Sequence, residues 1–260
     1  MSYNILSQQL LEENLYLYRH APPHVLRWEL RLHNLIREIT QLHADIVCLQ
    51  EVQHDHYESH IKAALHTLGY HCEYKKRTGS KPDGCVVAFR TCRFSLVSSN
   101  PVEFFRPGDA LLDRDNVGLV VLLRPLGTDW SLCVANTHLL YNPRRGDVKL
   151  AQLAVLLAEV ARMSRLPDGS ATPVLLCGDF NSTPWSPLYH FLTNGRLDCR
   201  GLTIGAVHKH TPVISHTLRL WSSYKHRLNP DGRSEVTTCH SHTAITVDYI
   251  LYTPGTHTQR

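Results

Sequence analysis

The chain has 260 residues, with 27 basic and 23 acidic side chains, so its formal net charge is +4. Hydrophobic residues make up 43% and charged residues 19%, which excludes a disordered chain and allows one large core in a single domain. No run approaches the ~18 apolar residues that span a bilayer, and the first residues lack a signal-peptide pattern, so no membrane contact is expected.

Hydrophobic periodicity predicts strands alternating with helices. Apolar residues at helical spacing predict a helix over 26–43, followed by a buried strand over 45–51. The further predicted elements are a helix over 56–68, strands over 70–74, 86–89, 117–123 and 131–135, a helix that begins near Gly146 with Asp147 as its N-cap, a strand over 173–177, a helix over 187–192 and a strand over 247–252. The polar, His-rich stretch 201–235 is predicted to be a loop insert.

The cysteines predict a reducing environment. None of the eight forms a Cys-x-x-Cys pair, and several lie in apolar runs, so we expect buried free thiols in the cytoplasm or nucleus. The cluster of Cys239, His240 and His242 lacks further ligands at suitable spacing, which favours a structural role over a zinc site.

Several polar side chains at or beside predicted strands suit one divalent cation. They are Asn4, Glu51, His138, Asp179, Asn181 and Asp248. Strand ends are rigid positions at which sites gather, and oxygen ligands favour Mg²⁺ or Mn²⁺ over zinc. Taken singly, each residue is more typical of a turn or of a hydrogen-bonded structural position, so the specificity lies in the ordered set.

That ordered set resembles the endonuclease/exonuclease/phosphatase superfamily. The motifs that carry the resemblance are Ser2–Leu6, Leu49–Val52, Asn136–His138, Gly178–Ser182 and Val247–Ile250. Residues 81–85, 114–118, 141–147 and 235–240 are similar to the Angel group, in the branch that also holds nocturnin and the carbon-catabolite-repression deadenylases. The resemblance implies one domain over residues 1–260, folded as a four-layer α/β/β/α sandwich with two mixed β-sheets, and Mg²⁺- or Mn²⁺-dependent cleavage of phosphoesters.

The resemblance also implies a role for each motif residue. Glu51 is expected to be the principal metal ligand, with Asn4 beside it. Asp179 is expected to orient or deprotonate the attacking water, and Asn181 to hold phosphate oxygens. His138 is expected to contact the phosphate, and Asp248 to support a second histidine. The expected substrate contacts are Asn116, Asn136, Asn142, Arg144 and Arg145, the arginines because they neutralise phosphates.

The resemblance ends before the C-terminus. The family pattern closes with a Ser-Asp-His motif after the Val-Asp-Tyr-Ile strand, and residues 255–260 do not match it. We therefore expect a domain that is incomplete at its C-terminus, lacks the last strand segment and has weakened catalysis. An inactive RNA- or protein-binding regulator is the alternative that this feature favours.

The leading expectation is a metal-dependent phosphoesterase that acts on RNA 3′ ends. The Angel-like motifs favour a 2′,3′-cyclic phosphatase, the wider branch favours a poly(A)-type 3′–5′ exoribonuclease, and both stay open. The same motifs argue against DNA, inositol phosphates and sphingolipids as substrates. Short basic clusters, at Lys75, Lys76, Arg77 and Lys81 and at the arginines already named, modestly support RNA. For Tyr57, Phe105 and Trp185, core packing is preferred over base stacking.

Overall fold

A computed structural model describes residues 1–200, 213–224, 235–240 and 243–254. The strands are β1 Ser2–Asn4, β2 Ile46–Gln53, β3 Tyr70–Lys76, β4 Asp83–Arg90, β5 Phe94–Glu103, β6 Val117–Pro125, β7 Leu132–His138, β8 Val174–Asp179, β9 Arg196–Asp198, β10 Val213–Ser215, β11 Trp221–Ser222, β12 Thr238–His240, β13 Thr243–Ile245 and β14 Asp248–Tyr252. The helices are α1 Gln8–Glu13, α2 Trp28–Leu42, α3 His54–His56, α4 Lys62–Thr67, α5 Gly146–Ser164 and α6 Pro187–Asn194. A π-helical turn, Tyr57–Ile61, joins α3 to α4, and short 3₁₀ helices occupy Leu15–Tyr18 and Pro23–Leu26.

Two mixed sheets form the centre of the molecule. The first has the strand order β1-β2-β4-β3, and the second has the order β11-β14-β8-β7-β6-β5. Within them, β1 runs parallel to β2 and β7 runs parallel to β8, while the other neighbours are antiparallel. The pairs β9–β10 and β12–β13 form two small ribbons.

Continuous apolar strands explain why the sheets stack. Successive side chains of a strand point to opposite faces, so a strand that is apolar at every position is buried on both sides. In β4, Val86 and Ala88 pack towards the helices, whereas Val87 and Phe89 pack towards the second sheet. The layer between the sheets also contains Cys48, Leu119, Val121, Leu123, Val134 and Cys177.

Helices cover both outer faces of this sandwich. The α2 side chains Trp28, Leu35 and Ile39 share one core cluster with Val47 and Leu49 of β2. On the other side, α5 buries ten of its residues against the second sheet, and α6 packs beside it. The predicted four-layer α/β/β/α architecture with two mixed sheets is therefore confirmed.

Some local predictions differ from the structure. Strand β5 was not predicted, because its exposed positions dilute the apolar signal. Within the predicted insert 201–235, residues 213–224 contain β10 and β11, and residues 201–212 and 225–234 lie outside the described part of the chain. Helix α5 starts at Gly146 with Arg145 as its N-cap, and Asp147 instead accepts a 3.0 Å bond from Arg145 Nε, so the N-cap prediction was wrong. None of the described helices combines the length and apolar character needed to cross a membrane.

Asn136 joins the two sheets through hydrogen bonds. Its side chain is fully buried, and its Nδ2 donates at 2.8 Å to the carbonyl oxygens of Leu49 and Val86. Its Oδ1 accepts a 2.7 Å bond from Gln50 Nε2. The structure therefore places this predicted substrate contact inside the sandwich, where its hydrogen-bonding groups serve neighbouring protein groups.

Replacing Asn136 with alanine is expected to destabilise the fold by about 3 kcal/mol or more. The change removes the bonds to two buried carbonyls and the bond from Gln50, whose Nε2 keeps a 3.2 Å bond to Ser2 Oγ, and each carbonyl left unsatisfied costs about 1–3 kcal/mol. Urea unfolding measures the effect. Asn142→Ala, at an exposed position, is the matched control and is expected to shift stability by less than about 1 kcal/mol. Equal losses of stability for the two variants would contradict the role of Asn136 in joining the two sheets.

Candidate active site

Strand register brings the predicted site residues to one edge of the sandwich. In the second sheet, Asp179 of β8 lies opposite His138 of β7 and Asp248 of β14. Residues in register point to the same face of a sheet, so these three side chains stand side by side. In the first sheet, Asn4 lies opposite Gln50, one residue before Glu51. The two groups meet because the ends of β1 and β2 face β8.

The sequence predicted that Glu51 ends its strand. In the structure, Glu51 instead lies in a bulge within the strand. Strand β2 continues to Gln53, and its pairing with β4 shifts register between Leu49 and Val52. The φ angle of Glu51 is +54°, in the left-handed region that side chains rarely adopt. A bulge re-aims a side chain, and here it turns the carboxylate towards Asn4 while Gln50 stays inside the sandwich.

Asn4 connects the two carboxylates. Its Nδ2 donates to Glu51 Oε1 at 2.8 Å and to Asp179 Oδ2 at 3.1 Å, although Asp179 is 175 positions away in the chain. Its Oδ1 accepts from Leu6 N at 3.0 Å, which fixes the amide orientation. Glu51 Oε2 also accepts from Ser7 N at 3.3 Å. Burial raises the pKa of Glu51 above its ordinary value, with a further rise from nearby acids, although His138 and the Asn4 hydrogen bond oppose it.

Asp179 lies at the start of a tight turn. Gly178 precedes it, and a Cβ at that glycine would lie 2.2 Å from the Thr137 carbonyl, so only glycine fits there. Asp179 Oδ1 accepts from Asn181 N at 2.9 Å. Asn181 has a left-handed φ of +47°, and its Nδ2 donates to Leu139 O at 2.9 Å. Strained backbone of this kind clusters at functional sites.

His138 and Asp248 complete the cluster. His138 Nε2 is 3.7 Å from Asp179 Oδ2. His138 Nδ1 and Asp248 Oδ1 are buried and have no hydrogen-bond partner among the described residues. Burial, together with the nearby Asp179 carboxylate, raises the pKa of Asp248 to about 7. Buried polar atoms without partners indicate a place where a ligand, ion or water completes the structure.

Asp248→Asn is expected to stabilise the metal-free protein at pH 8 by about 2–4 kcal/mol. The folded pKa of about 7 lies above the ordinary 3.8, so wild-type stability is greatest below that lower value and falls as pH rises towards 7. Asparagine cannot ionise, so the variant lacks this loss. Chemical denaturation at pH 4 and pH 8 in EDTA measures the difference, which should be near zero at pH 4. A gain in stability that is the same at both pH values would refute the raised pKa of Asp248.

Three side chains that the sequence did not single out hold the site in place. Lys149 in α5 is 3% exposed, and its Nζ donates to Asn181 O at 2.6 Å. Burial lowers the pKa of Lys149, whereas Asp179 opposes that change. Gln152, fully buried, accepts from Leu140 N at 3.1 Å. Arg31 donates to Ile5 O at 2.5 Å, just after Asn4. No local pattern marks these residues, because their importance comes from distant strands.

The predicted substrate contacts have different surroundings. Asn116 is 2% exposed, donates to His138 O at 3.0 Å and accepts from Gln152, so it positions the histidine strand. Asn142 is exposed and accepts from Arg144 N at 2.9 Å. Arg144 is exposed, whereas Arg145 is paired with the buried Asp147. Of the five predicted contacts, Asn142 and Arg144 are therefore the two exposed to solvent, whereas Asn116 and Asn136 are buried.

The other basic and aromatic predictions are also placed by the structure. Lys75 and Lys76 belong to β3, and Lys75 pairs with Glu103 at 2.5 Å. Arg77 lies 3.4 Å from the buried Asp83. Among the aromatics, Tyr57 is 3% exposed, as expected of a core residue. The core prediction was wrong for Phe105, which is 38% exposed, and for Trp185, which is 67% exposed.

The donor set fits a hard divalent cation. Glu51 and Asp179 supply carboxylates, joined by the Asn4 amide. Within the described ranges, no group of three His, Cys, Asp or Glu side chains forms a ready metal site. Mg²⁺ usually binds one or two carboxylates and keeps several waters, so it does not need such a group. Asp248 Oδ1, which is buried and has no hydrogen-bond partner in the described part of the chain, adds an acceptor at the same edge.

Comparison with known proteins gives consistent similarities. The model of the Endonuclease/Exonuclease/phosphatase family matches residues 1–260. Protein angel homolog 2 of Danio rerio is 55% identical over 303 residues, covering 97% of this chain and 53% of that protein. The Homo sapiens homolog 2 is 48% identical over 314 residues, covering 97% and 58%. The chain thus spans about half the length of the curated relatives it matches.

Solved structures extend the similarity to three dimensions. A crystal structure of ANGEL2, described as a 2′,3′-cyclic phosphatase and bound to adenosine-2′,3′-vanadate, is 50% identical with a TM-score of 0.91, covering 97% of this chain and 82% of that one. The human Nocturnin catalytic domain with a bound sulfate anion is 29% identical with a TM-score of 0.69, covering 96% and 80%.

Proposed function

This chain belongs to the endonuclease/exonuclease/phosphatase family and, within it, to the Angel group, and on that basis we propose that it is a divalent-metal-dependent phosphoesterase acting on RNA 3′ ends. The observation that carries the proposal is the Asn4 amide, which bridges Glu51 and Asp179 beside His138. Four chain segments, each more than 40 residues from the next, thereby place oxygen and nitrogen groups around one point.

Each residue has a proposed task. Glu51 holds the cation, with Asn4 beside it, and Mg²⁺ or Mn²⁺ offsets charge on the phosphoryl oxygens when bound. Asp179 accepts a proton from the attacking water or orients it. His138 and Asn181 contact the phosphate oxygens, and Asp248 supports the cluster from the neighbouring strand. Lys149, through the Asn181 carbonyl, keeps the turn in its strained conformation.

We propose the 2′,3′-cyclic phosphate as the substrate group. The similarity to ANGEL2, described as a 2′,3′-cyclic phosphatase, supports this choice over poly(A) removal. One water opens the ring by breaking one phosphorus–oxygen ester bond, and a second water releases inorganic phosphate and leaves a 2′,3′-diol. A DNA 3′ end lacks the 2′-hydroxyl needed to form the ring, so we propose RNA and not DNA.

The test uses two RNAs that share one body sequence. One ends in a 2′,3′-cyclic phosphate, and the other carries a poly(A) tail that ends in a 2′,3′-diol. With Mg²⁺, the cyclic end is expected to yield a diol and inorganic phosphate, whereas the poly(A) end keeps its length. EDTA should stop the reaction. Shortening of the poly(A) RNA alone would instead assign a 3′ exonuclease.

Binding of RNA without turnover is the second candidate. Among the described residues, the buried Asp248 Oδ1 has no hydrogen-bond partner, and this observation favours the candidate, because the family resemblance pairs this aspartate with a histidine. Tight binding of the cyclic-ended RNA with no phosphate release in Mg²⁺ or Mn²⁺ would select this candidate.

Five of the eight cysteines are buried as free thiols, which supports a reducing compartment, cytoplasm or nucleus, as the proposed location.

A further inference from the structure

Trp185 has an unusual combination of backbone strain and exposure. Its φ angle is +68°, in the left-handed region, and its residue is 67% exposed. For a bulky residue this backbone region is a genuine outlier, and such strain persists where a function requires the side chain. An exposed indole gains little from burial, so core packing does not explain why tryptophan occupies this position.

The surroundings of Trp185 hold its loop in place. Its ring lies edge-on to Tyr189, with centroids 6.1 Å apart. Tyr189 packs against Tyr249 at 5.4 Å, and the Tyr249 hydroxyl donates to Ser182 O at 2.8 Å. Ser186 then caps α6 by accepting from Tyr189 N. The loop that carries Trp185 is thus anchored on both sides of the indole.

This loop borders a cavity that begins at the active site. The cavity has a volume of about 270 Å³, and its lining includes Asn181, Ser182, Thr183 and Ser186. Pro143 and Lys149 also line it, and the exposed Arg144 follows Pro143. An exposed aromatic side chain and an exposed arginine are therefore each next in the chain to a residue that lines a cavity reaching Asn181.

We propose that Trp185 is a stacking platform for a nucleobase of the RNA strand upstream of its 3′-terminal nucleotide. This inference rests on the proposed function. Single-stranded RNA is bound by aromatic faces that stack bases and by basic side chains that follow the backbone, and stacking tolerates any base. Trp185 directly precedes Ser186 of the cavity lining, and Arg144 directly follows Pro143 of the same lining, where an arginine can neutralise a backbone phosphate.

The test compares Trp185→Gly with Trp130→Gly, a second tryptophan that is 50% exposed in the turn before β7, at the opposite end of that strand from His138. The substrates are an RNA tetranucleotide ending in a 2′,3′-cyclic phosphate and adenosine 2′,3′-cyclic monophosphate. For Trp185→Gly, the KM for the tetranucleotide is expected to rise about 5- to 150-fold more than that for the mononucleotide, matching the usual strength of base stacking. Trp130→Gly should show no such difference.

Thermal unfolding separates a binding role from a structural one. Glycine accepts a positive φ, so Trp185→Gly is expected to raise the melting temperature by about 2–4 °C while it weakens RNA binding. A fall in melting temperature with an equal rise in KM for both substrates would overturn the proposal, and so would unchanged KM values for both.

If the wild type turns over neither substrate, the proposed function fails. Fluorescence anisotropy of a labelled tetranucleotide then decides the stacking role: weaker binding by Trp185→Gly alone supports it, and equal binding overturns it.

Discussion

Glu51→Gln is expected to lower the rate of phosphate release by about 10³-fold or more. The substitution keeps the size of the side chain and its bond from Asn4 but removes the negative charge that we propose holds the divalent cation. A loss of about 4 kcal/mol of charge stabilisation corresponds to this factor in rate. Single-turnover hydrolysis of the cyclic-ended RNA, over a range of Mg²⁺ concentrations, measures it.

Stability measurements show whether the Glu51 effect arises from metal binding. Burial raises the pKa of Glu51, so its charge is costly without a cation and the glutamine variant should be at least as stable as wild type in EDTA. Mg²⁺ should raise the melting temperature of the wild type but not of Glu51→Gln. Glu103→Gln, at an exposed residue paired with Lys75, is the matched control and should behave as wild type. An equal Mg²⁺-induced shift in Glu51→Gln would remove Glu51 from the metal site.

Asp179→Asn is expected to lower kcat by about 10²- to 10⁴-fold, the usual contribution of a group that accepts or orients a proton in the transition state. The amide keeps the shape of the side chain but presents N–H groups where Asn4 Nδ2 and Asn181 N now donate. Rate profiles against Mg²⁺ compare this variant with Glu51→Gln: because Glu51 is the proposed principal metal ligand, the Mg²⁺ dependence should change less in Asp179→Asn than in Glu51→Gln.

Asp147→Asn is the matched control for this prediction. Asp147 is also a buried aspartate, but it pairs with Arg145 at the start of α5. Its replacement should lower stability and leave kcat within about threefold of wild type. Similar kcat values for Asp179→Asn and wild type would show that Asp179 takes no part in the chemistry.

The layered fold can be predicted from the sequence because the local pattern of apolar residues shows which segments are buried. The apolar runs 86–89 in β4 and 117–123 in β6 predict strands buried on both faces, and the helical spacing in α5 predicts an outer helix. Strand β5 was missed because it is an edge strand with many exposed positions. Edge strands carry a weak hydrophobic pattern, so their presence depends on the neighbour that pairs with them.

The residue types of the site were also predicted, but their geometry was not. Asn4, Glu51 and Asp179 were expected around one cation, and the structure places them within hydrogen-bonding reach of one another. The bulge that turns Glu51 cannot be seen in an apolar strand pattern, because it depends on how β2 pairs with β4. Lys149 is likewise indistinguishable from any solvated lysine of a helix until α5 is packed against the turn at Asn181.

The amino-acid sequence by itself determined most of the segments that form strands and helices and which side chains are chemically able to hold a cation and a phosphate, and its resemblance to a known family implied the four-layer arrangement. Only the tertiary structure decided where each polar or aromatic side chain points: Asn136 binds the two sheets together inside the core, Asn142 faces solvent, and Trp185 stands exposed beside the cavity. The reason is physical. Periodicity reports the burial of a segment from neighbours a few positions away, whereas the surroundings of one side chain depend on the register of strands that are tens to hundreds of residues apart.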